Sequence, residues 1–270
     1  MRQKRKVGRG AAQVVLVALT AWGTACGTNG ETGRSDSIGG AAALEERTGE
    51  HGRAATAATQ STVNGARTPK VPGRLPSSRV VLLGTSLTAG LGLDPEKAYP
   101  ALLQHKADSA GYAVRMVNAG LSGETSAGAL RRANWVLDQP ALLVVLEVGA
   151  NDGLRGVDPD STYANIVALV KVVRTQRPEA VVALVQMEAP TNLGGSYTTR
   201  FHQAYVRVAK ETGVTLLPFL LEGVAGDPQL NQADGIHPNS EGSKRVADTL
   251  WRGLSPMLAK LSAIGSAAGG

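Results

Sequence analysis

The chain has one cysteine in 270 residues, so it cannot form an intrachain disulfide. Histidine occurs only four times, and His51, His105 and His202 show no clustering with other metal-ligating residues. The glycine-rich patterns that cradle phosphates, G-x-G-x-x-G and the P-loop, are missing as well. We therefore expect no metal centre, no nucleotide and no other cofactor.

A basic patch is also missing from the part of the chain that is expected to fold. The whole chain has a net charge of +6 and a pI of 9.6. Residues 1–79 contain 12 lysines and arginines against 5 acidic residues, whereas residues 80–270 contain 16 against 17. Because the positive excess lies in the N-terminal third, we expect no nucleic-acid partner.

No apolar run is long enough to span a bilayer comfortably. The longest, residues 11–25, ends in small residues and follows a basic segment with Arg2, Lys4, Arg5, Lys6 and Arg9. This pattern is typical of a secretory signal peptide, so residues 1–25 are predicted to be one. The protein is then exported to the periplasm or the cell envelope.

The single cysteine, Cys26, directly follows the predicted signal peptide. Its position resembles the lipobox of bacterial lipoproteins, in which the cysteine is lipidated, although Gly23 stands where a leucine is usual. We expect a membrane anchor at Cys26, and ordinary signal cleavage nearby is the alternative.

The composition divides the rest of the chain into three parts. Residues 26–77 are rich in glycine, alanine, threonine, serine and arginine, which predicts a flexible low-complexity tether. Residues 78–261 are predicted to form one domain, and residues 262–270 a disordered tail. We expect this domain to be a monomer.

Apolar strand patterns alternate with helical patterns in the predicted domain. The strands are expected at 79–83, 114–118, 142–148, 180–187 and 214–217, and the helices at 99–110, 126–137, 159–176, 198–212 and 238–261. Regular alternation of this kind indicates an α/β fold, a three-layer α/β/α sandwich with a five-stranded parallel sheet. In such sheets ligands bind beyond the carboxyl ends of the strands.

Polar residues follow the predicted strands, at that edge of the sheet. Ser86 comes after the first strand, and Asp234 and His237 lie in a glycine-containing turn after the last. A serine hydroxyl becomes a nucleophile when a base takes its proton and a third group orients that base. Taken separately, Ser86 is better explained as a helix cap, and the Asp234–His237 segment as a surface turn.

Two more residues at this edge are candidates for stabilising negative charge. Gly123 has no side chain to cover its backbone N–H, and Asn151 carries a neutral NH₂ group. Acyl transfer needs such donors aimed at the developing oxyanion. By themselves, Gly123 is also suited to a plain turn and Asn151 to an Asx-turn.

Together these segments resemble the SGNH (GDSL-type) hydrolase superfamily, especially its bacterial thioesterase I, lysophospholipase and arylesterase subgroup. The matching segments, in chain order, are Gly84-Thr-Ser86-Leu-Thr-Ala-Gly90, Asn118-Ala-Gly-Leu-Ser-Gly123-Glu-Thr-Ser126, Gly149-Ala-Asn151-Asp-Gly-Leu-Arg-Gly156 and Asp234-Gly-Ile-His237-Pro-Asn239. The resemblance covers about residues 79–258 and implies a flavodoxin-like fold.

By this resemblance Ser86 is the nucleophile, His237 the general base and Asp234 the residue that orients it. The oxyanion hole consists of the backbone N–H groups of Ser86 and Gly123 and the side chain of Asn151. The family pattern has an aspartate where this chain has Thr85, and commonly a glycine where it has Ala150. We expect the first change to affect the rigidity of the turn and the second to crowd the asparagine slightly.

Other polar and aromatic residues near the predicted site are assigned supporting roles. Glu147 and Glu188 end strands and are candidates for hydrogen bonds behind the site, with a plain strand-end position as the alternative. Asp152 and Arg155 are expected to shape a loop. Trp135 and Trp251 are expected to pack between helices and sheet.

The predicted activity is that of a serine esterase. Its substrates are carboxylic esters or thioesters, such as lipid, lysophospholipid or aryl esters, cleaved through an acyl-enzyme. A carbohydrate O-acetylesterase on the same fold and a non-catalytic lipid- or glycan-binding envelope lipoprotein are the alternatives.

Overall fold

The computed structural model describes residues 79–267, with side chains up to residue 263. The predicted signal peptide, Cys26 and the predicted tether lie outside the described residues. Among the helices in the described part of the chain, none combines the length and the apolar character needed to cross a bilayer.

Five parallel strands form one sheet with the order β2-β1-β3-β4-β5. The strands are β1 Arg79–Gly84, β2 Arg115–Gly120, β3 Leu143–Glu147, β4 Val181–Gln186 and β5 Thr215–Phe219. The three central strands are buried along nearly their whole length, whereas the edge strands β2 and β5 are partly exposed. Aliphatic side chains on both faces of β1, β3 and β4 therefore form the core under two layers of helices.

Helices cover both faces of the sheet. They are α1 Ser86–Ala89, α2 Tyr99–Ser109, α3 Ser126–Val136, α4 Ala150–Leu154, α5 Pro159–Gln176, α6 Gly195–Thr212 and α7 Ser240–Ala267, with 3₁₀ turns at Pro95–Lys97 and Thr191–Leu193. Helices α3, α5 and α6 pack side by side, and α2 packs against α7. This division is what right-handed crossovers produce when the strand order reverses at β1.

The reversal positions the site. Strand β1 lies between β2 and β3, and its last residue, Gly84, pairs with Gly120 on one side and with Glu147 on the other. The connections that leave β1 and β3 run in opposite directions, so a crevice opens beyond their carboxyl ends. The predicted flavodoxin-like α/β/α sandwich is confirmed.

The helices differ from the prediction in two respects. The last helix continues to Ala267, whereas it was expected to end at residue 261. Once formed, a helix gains one hydrogen bond for each residue added, and no proline follows Pro256 to stop it. The short helices α1 and α4 were not predicted, because four or five residues are too few to show helical periodicity.

Trp135 also differs from the prediction. Its side chain is 76% exposed, whereas Trp251 is partly buried and contacts Tyr112, with ring centroids 6.1 Å apart. The buried residues of α3 are Ser126, Ala129, Ala133 and Val136, which lie three or four positions apart. Position 135 falls outside this spacing, so Trp135 points away from the sheet.

Candidate active site

Ser86 begins helix α1 directly after strand β1. The preceding residue, Thr85, caps the helix by accepting the Leu87 backbone N–H at 3.4 Å. Gly84 must be a glycine, because a Cβ there would collide with Thr88 Oγ1 and Glu147 Oε2. The strand therefore ends in a closely packed turn that holds Ser86 at the edge of the sheet, with 8% of its surface exposed.

His237 lies in a small hairpin before helix α7. An antiparallel bridge joins Asn231 to Pro238, and the Gln232 N–H donates to the His237 carbonyl at 2.7 Å. Gly235 takes the left-handed conformation that the turn requires, with φ of 70°. The Gln232 side chain donates to the Leu91 carbonyl at 2.7 Å and so ties the hairpin to the segment after α1.

The structure brings Ser86, His237 and Asp234 together although 151 residues separate the first two. His237 Nε2 lies 2.8 Å from Ser86 Oγ, and His237 Nδ1 lies 2.7 Å from Asp234 Oδ2. Because an ionised carboxylate only accepts hydrogen bonds, the imidazole hydrogen belongs on Nδ1. Nε2 is then free to accept the proton of the serine hydroxyl.

Asp234 is held in its charged form. Partial burial by itself raises the pKa of its carboxyl. The backbone N–H groups of His237 and Ile236 donate to Oδ1 at 3.0 and 2.9 Å. These two hydrogen bonds and the His237 ring lower the pKa by more than burial raises it. The pKa of Asp234 is consequently lowered from 3.8 to about 2, so a fixed negative charge faces the imidazole at neutral pH.

Gly123, in the loop after β2, and Asn151, in the first turn of helix α4, lie at the same edge of the sheet. The Asn151 amide donates to the Glu124 carbonyl at 3.0 Å, and Arg155 donates to the Gly123 carbonyl at 3.0 Å. Gly123 has φ of 77°, and its N–H has no hydrogen-bond partner among residues 79–267. Its loop is attached to the serine turn, since the Leu121 N–H donates to the Gly84 carbonyl at 2.9 Å.

Ala150 causes no backbone strain in the turn before Asn151. The left-handed residue in this loop is Gly149, with φ of 96°, where a Cβ would collide with the Tyr205 hydroxyl. Ala150 itself has helical geometry as the first residue of α4. Alanine readily adopts this backbone conformation, so the departure from the family pattern at this position does not require a left-handed non-glycine residue.

A buried carboxylate lies directly behind the serine turn. Glu147, at the end of β3, is fully buried and accepts the Thr85 N–H at 2.8 Å. It also accepts the Thr85 hydroxyl at 3.0 Å and the Thr88 hydroxyl at 2.7 Å. Since the single Thr88 hydroxyl hydrogen is used in this way, Tyr99 must donate its own to Thr88 Oγ1 across 2.5 Å.

This cluster, Glu147 with Thr85, Thr88 and Tyr99, has an electrostatic character opposite to that of Asp234. Burial raises the pKa of the Glu147 carboxyl from 4.5 to about 7, and the threonine donors only partly oppose that rise. Burial also raises the pKa of Tyr99 well above its usual value, and the nearby Glu147 charge adds to the rise. Thr85 thus makes the hydrogen bonds that support the turn where the family pattern has an aspartate.

The loops around the site are supported by polar contacts that span many residues. Arg132 forms a bidentate ion pair with the buried Glu124, with its nearest contact at 2.6 Å, and also donates to the Ala119 carbonyl. Asp152 is buried and accepts the Ser126 N–H at 2.8 Å and the Ser126 hydroxyl at 2.5 Å. The roles expected for Glu147, Asp152 and Arg155 as supporting residues are therefore confirmed.

Glu188 and His202 form an additional pair, 2.6 Å apart. His202 was expected to lack a clustered partner, because it lies within helix α6 and 14 residues separate it from Glu188 in the chain. In residues 79–267 there is no group of three or more potential metal ligands.

A small pocket opens beside the serine. Ser86 and His237 line it together with the aliphatic side chains of Leu91, Leu93, Leu221 and Val246. A polar reacting pair thus borders an apolar wall, which is the arrangement expected for a substrate with a hydrocarbon part.

The fold and the site together define the class of protein. A parallel α/β/α sheet with a hydrogen-bonded Ser–His–Asp chain beyond its carboxyl ends is the architecture of a serine hydrolase. Residues 82–245 match the model of the GDSL-like Lipase/Acylhydrolase family, and the chain belongs to this family. The resemblance found in the sequence is confirmed, and the protein is a carboxylic ester hydrolase.

Known relatives cover the described domain. The chain is 40% identical over 181 residues to Esterase TesA of Pseudomonas aeruginosa, covering 66% of this chain and 89% of the relative. It is 38% identical over 180 residues to Thioesterase 1/protease 1/lysophospholipase L1 of Escherichia coli K12, covering 66% and 84% respectively.

A solved structure gives the same picture. The psychrotrophic esterase EstA from Pseudoalteromonas, in a form inhibited by monoethylphosphonate, superposes with a TM-score of 0.64 at 34% identity. The match covers 67% of this chain and 99% of that chain. The domain therefore corresponds to a complete folding unit in that relative.

Proposed function

We propose that Ser86 is the nucleophile of an esterase reaction, with His237 as the general base and Asp234 as the residue that orients it. The continuous hydrogen-bonded chain from Ser86 Oγ through His237 to Asp234 carries this proposal. Its two short contacts give the serine a base and give the base a fixed tautomer, which are the two conditions for activating a hydroxyl.

In the proposed reaction Ser86 Oγ attacks the ester carbonyl while its proton moves to His237 Nε2. The resulting tetrahedral oxyanion accepts hydrogen bonds from the backbone N–H groups of Ser86 and Gly123 and from the side chain of Asn151. The C–O or C–S bond to the leaving group then breaks as His237 returns the proton. Water, activated by the same imidazole, releases the acid from the acyl-enzyme.

The proposed substrates are lipid, lysophospholipid, aryl or thioester compounds with an apolar acyl or leaving group. The aliphatic wall of the serine pocket supports this choice, and the named activities of the relatives agree with it. A series of p-nitrophenyl esters of increasing chain length, with lysophospholipids, tests it. Activity confined to acetyl esters would favour a carbohydrate O-acetylesterase instead.

We also propose that the protein is exported and anchored through a lipid on Cys26. The basic segment, the short apolar run and the cysteine that follows it support this proposal. Fractionation of cells that express the Cys26→Ser variant tests it. If that variant remains with the membranes to the same extent as the wild type, the anchor is not at Cys26.

Covalent labelling tests the catalytic assignment. A fluorophosphonate probe is expected to label the wild type and not Ser86→Ala. Ser243 lines the same pocket, but its hydroxyl donates to the Lys97 carbonyl at 2.6 Å, so Ser243→Ala is a matched control that should keep its label. Near-normal ester turnover by Ser86→Ala would refute the proposal.

A further inference from the structure

The large apolar side chains that the domain exposes are concentrated at one edge. Residues 79–263 contain six of them, and five follow the carboxyl ends of the strands, one after each strand. These five are 36–51% exposed. We call them the apolar rim: Leu91, Leu121, Leu154, Leu193 and Ile236.

Hydrogen bonds and close approaches connect the loops that carry the apolar rim. Gln232 binds the Leu91 carbonyl and so joins the first loop to the hairpin that carries Ile236. Arg155, next to Leu154, binds the Gly123 carbonyl two residues after Leu121. Leu193 lies 4.0 Å from the position that a Cβ would take on Gly156. These contacts join the loops in two groups, Leu91 with Ile236 and Leu121 with Leu154 and Leu193, and the Leu121 N–H bond to the Gly84 carbonyl attaches the second group to the serine turn. All five side chains therefore lie at the edge of the sheet that carries the serine and the histidine.

We infer that the apolar rim docks on the surface of a neutral lipid aggregate, such as a phosphatidylcholine bilayer or micelle, from which the site takes its ester. This inference rests on the proposed function, because it describes how substrate reaches the same serine. Single leucines on separate loops can each enter the outer hydrocarbon of a lipid layer, and every buried methylene adds to the attachment.

The position of the apolar rim argues against a protein partner. Leu91 lines the pocket with Ser86, and Ile236 is adjacent to His237. Any partner that covers these side chains also covers the entrance of the pocket. A lipid surface can cover the entrance without stopping the reaction, because it supplies the substrate itself.

The charges near the apolar rim favour a neutral surface over an anionic one. Lys97 is paired with Asp94 at 2.7 Å, and Arg155 is engaged with the Gly123 carbonyl. Asp234 adds negative charge next to Ile236 of the apolar rim. Of the two cations, only Arg155 has no acidic partner among the described residues, and one cation attracts anionic head groups weakly, so attachment should depend little on salt.

Trp135 provides an internal control. It is the sixth exposed apolar side chain and the most exposed of all, at 76%. Helix α3 returns from the end of β2 to the start of β3, so Trp135 in its last turn lies with Arg79 and Gln139 at one end of a groove whose other end reaches Leu121. If exposed hydrophobicity alone caused lipid binding, Trp135 would matter as much as the apolar rim.

Cosedimentation with phosphatidylcholine vesicles tests the inference. Residues 72–270 carrying Ser86→Ala, which leaves the lipid intact, are expected to sediment with the vesicles. Adding Leu121→Gln, Leu154→Gln and Leu193→Gln should weaken the partition at least tenfold, whereas adding Trp135→Ser should change it less than twofold. With Ser86 intact, the triple variant should hydrolyse soluble p-nitrophenyl acetate within about twofold of the wild type.

Several results would overturn the inference. These are absence of vesicle binding, equal binding by the triple variant, an equal loss in Trp135→Ser, and a preference of tenfold or more for phosphatidylglycerol vesicles that salt abolishes. A dimer in sedimentation velocity that the triple variant dissociates, without vesicle binding, would assign the surface to a second copy instead. If the triple variant does not fold, Leu154→Gln and Leu193→Gln are each expected to weaken binding about threefold.

The same experiments separate this inference from the proposed function. Loss of fluorophosphonate labelling in Ser86→Ala with no vesicle binding would leave the esterase assignment standing and remove the lipid surface. Unchanged labelling in Ser86→Ala would remove the esterase assignment, whether or not vesicles are bound.

Discussion

Asp234 and Glu147 are both carboxylates close to Ser86, and they lie in contrasting environments. Asp234 is 44% exposed at its side chain, holds the imidazole, and has a pKa lowered to about 2. Glu147 is fully buried, holds the backbone and hydroxyl of Thr85, and has a pKa raised to about 7. The Asp234 carboxylate thus supplies a negative charge beside the imidazole, whereas the Glu147 carboxylate holds the serine turn in position. The two differ because Asp234 is partly exposed to solvent and bound by two backbone N–H groups, and Glu147 is fully buried.

The largest expected effect comes from removing the imidazole that Asp234 holds on the exposed side of Ser86. His237→Ala removes the base from Ser86 and should lower kcat about 10³- to 10⁶-fold, with the free energy of unfolding changed by less than about 1 kcal/mol. Steady-state hydrolysis of a p-nitrophenyl ester and urea unfolding measure the two quantities. A large loss of stability would show that His237 supports the fold, which would contradict a purely catalytic role for the exposed side of the site.

Asp234→Asn tests how the exposed carboxylate acts. The amide oxygen can still accept the two backbone N–H groups, but the amide NH₂ would face His237 Nδ1 and favour the wrong tautomer. We expect kcat to fall about 10²- to 10⁴-fold with the hairpin intact. A loss below about threefold would mean that another group orients the imidazole.

Glu147→Ala removes the buried carboxylate that accepts hydrogen bonds from Thr85 and Thr88. It opens a cavity and leaves the Thr85 and Thr88 donors unsatisfied, so the free energy of unfolding should fall by about 3 kcal/mol. The serine turn loses its support, and kcat should fall about tenfold at unchanged KM. Glu147→Gln, which can accept the Thr85 N–H and the Thr88 hydroxyl, should recover most of the stability. Equal damage from both substitutions would contradict a role in packing and hydrogen bonding.

The sequence indicated the three residues of the exposed hydrogen-bonded chain, but not the buried contact between Thr85 and Glu147. Ser86, Asp234 and His237 could be placed together because each follows a strand, and parallel strands bring their carboxyl ends to one edge. The sequences of strands β3 and β4 were recognisable as apolar on both faces. Thr85 was noticed only as a departure from a family pattern, and nothing in the chain indicated its contact with Glu147, 62 residues away.

The residues that the sequence did not indicate share a physical cause. Thr88, Tyr99 and Gln232 act through hydrogen bonds between distant segments, which leave no periodicity and no local motif. Gln232 could be found only once the hairpin and the segment after α1 were known to touch. Trp135 is a different case, since the spacing of the small buried residues in α3 already implied that position 135 faces solvent.

The pH dependence of stability should show the two carboxylates separately. The pKa of Glu147 is higher in the folded state, so relative to Glu147→Gln the free energy of unfolding should be greatest below pH 4.5. It should fall by on the order of 3 kcal/mol as the pH rises from 4.5 to about 7.

The stability that Asp234 contributes should change with pH in the opposite direction, because its pKa is lower in the folded state. Relative to Asp234→Asn, its contribution should be present above pH 3.8 and be lost as the pH falls towards about 2. Urea unfolding of the wild type and both variants across this range measures the two windows. A single window shared by both variants would remove the contrast between the two sites.

Thr85→Val is expected to have the smallest effect, and it shows how the buried side tolerates change. Valine has the same shape but no hydroxyl, so Glu147 loses one donor and the Leu87 N–H loses a long contact of 3.4 Å. The backbone N–H of residue 85 keeps its 2.8 Å bond to Glu147, and Thr88 keeps its own. We expect a loss of about 1 kcal/mol in unfolding free energy and a threefold decrease in kcat.

Thr85→Ser keeps the hydroxyl and lacks only the methyl group. Its kcat for the same p-nitrophenyl ester should therefore be close to that of the wild type, without the decrease expected for Thr85→Val. If Thr85→Val instead lowers kcat a hundredfold or more, the hydroxyl takes part in the reaction itself. A small effect has a definite structural meaning: the carboxylate of Glu147 has more donors than it needs, so the residue before the serine can vary as long as the backbone N–H and Thr88 remain in place.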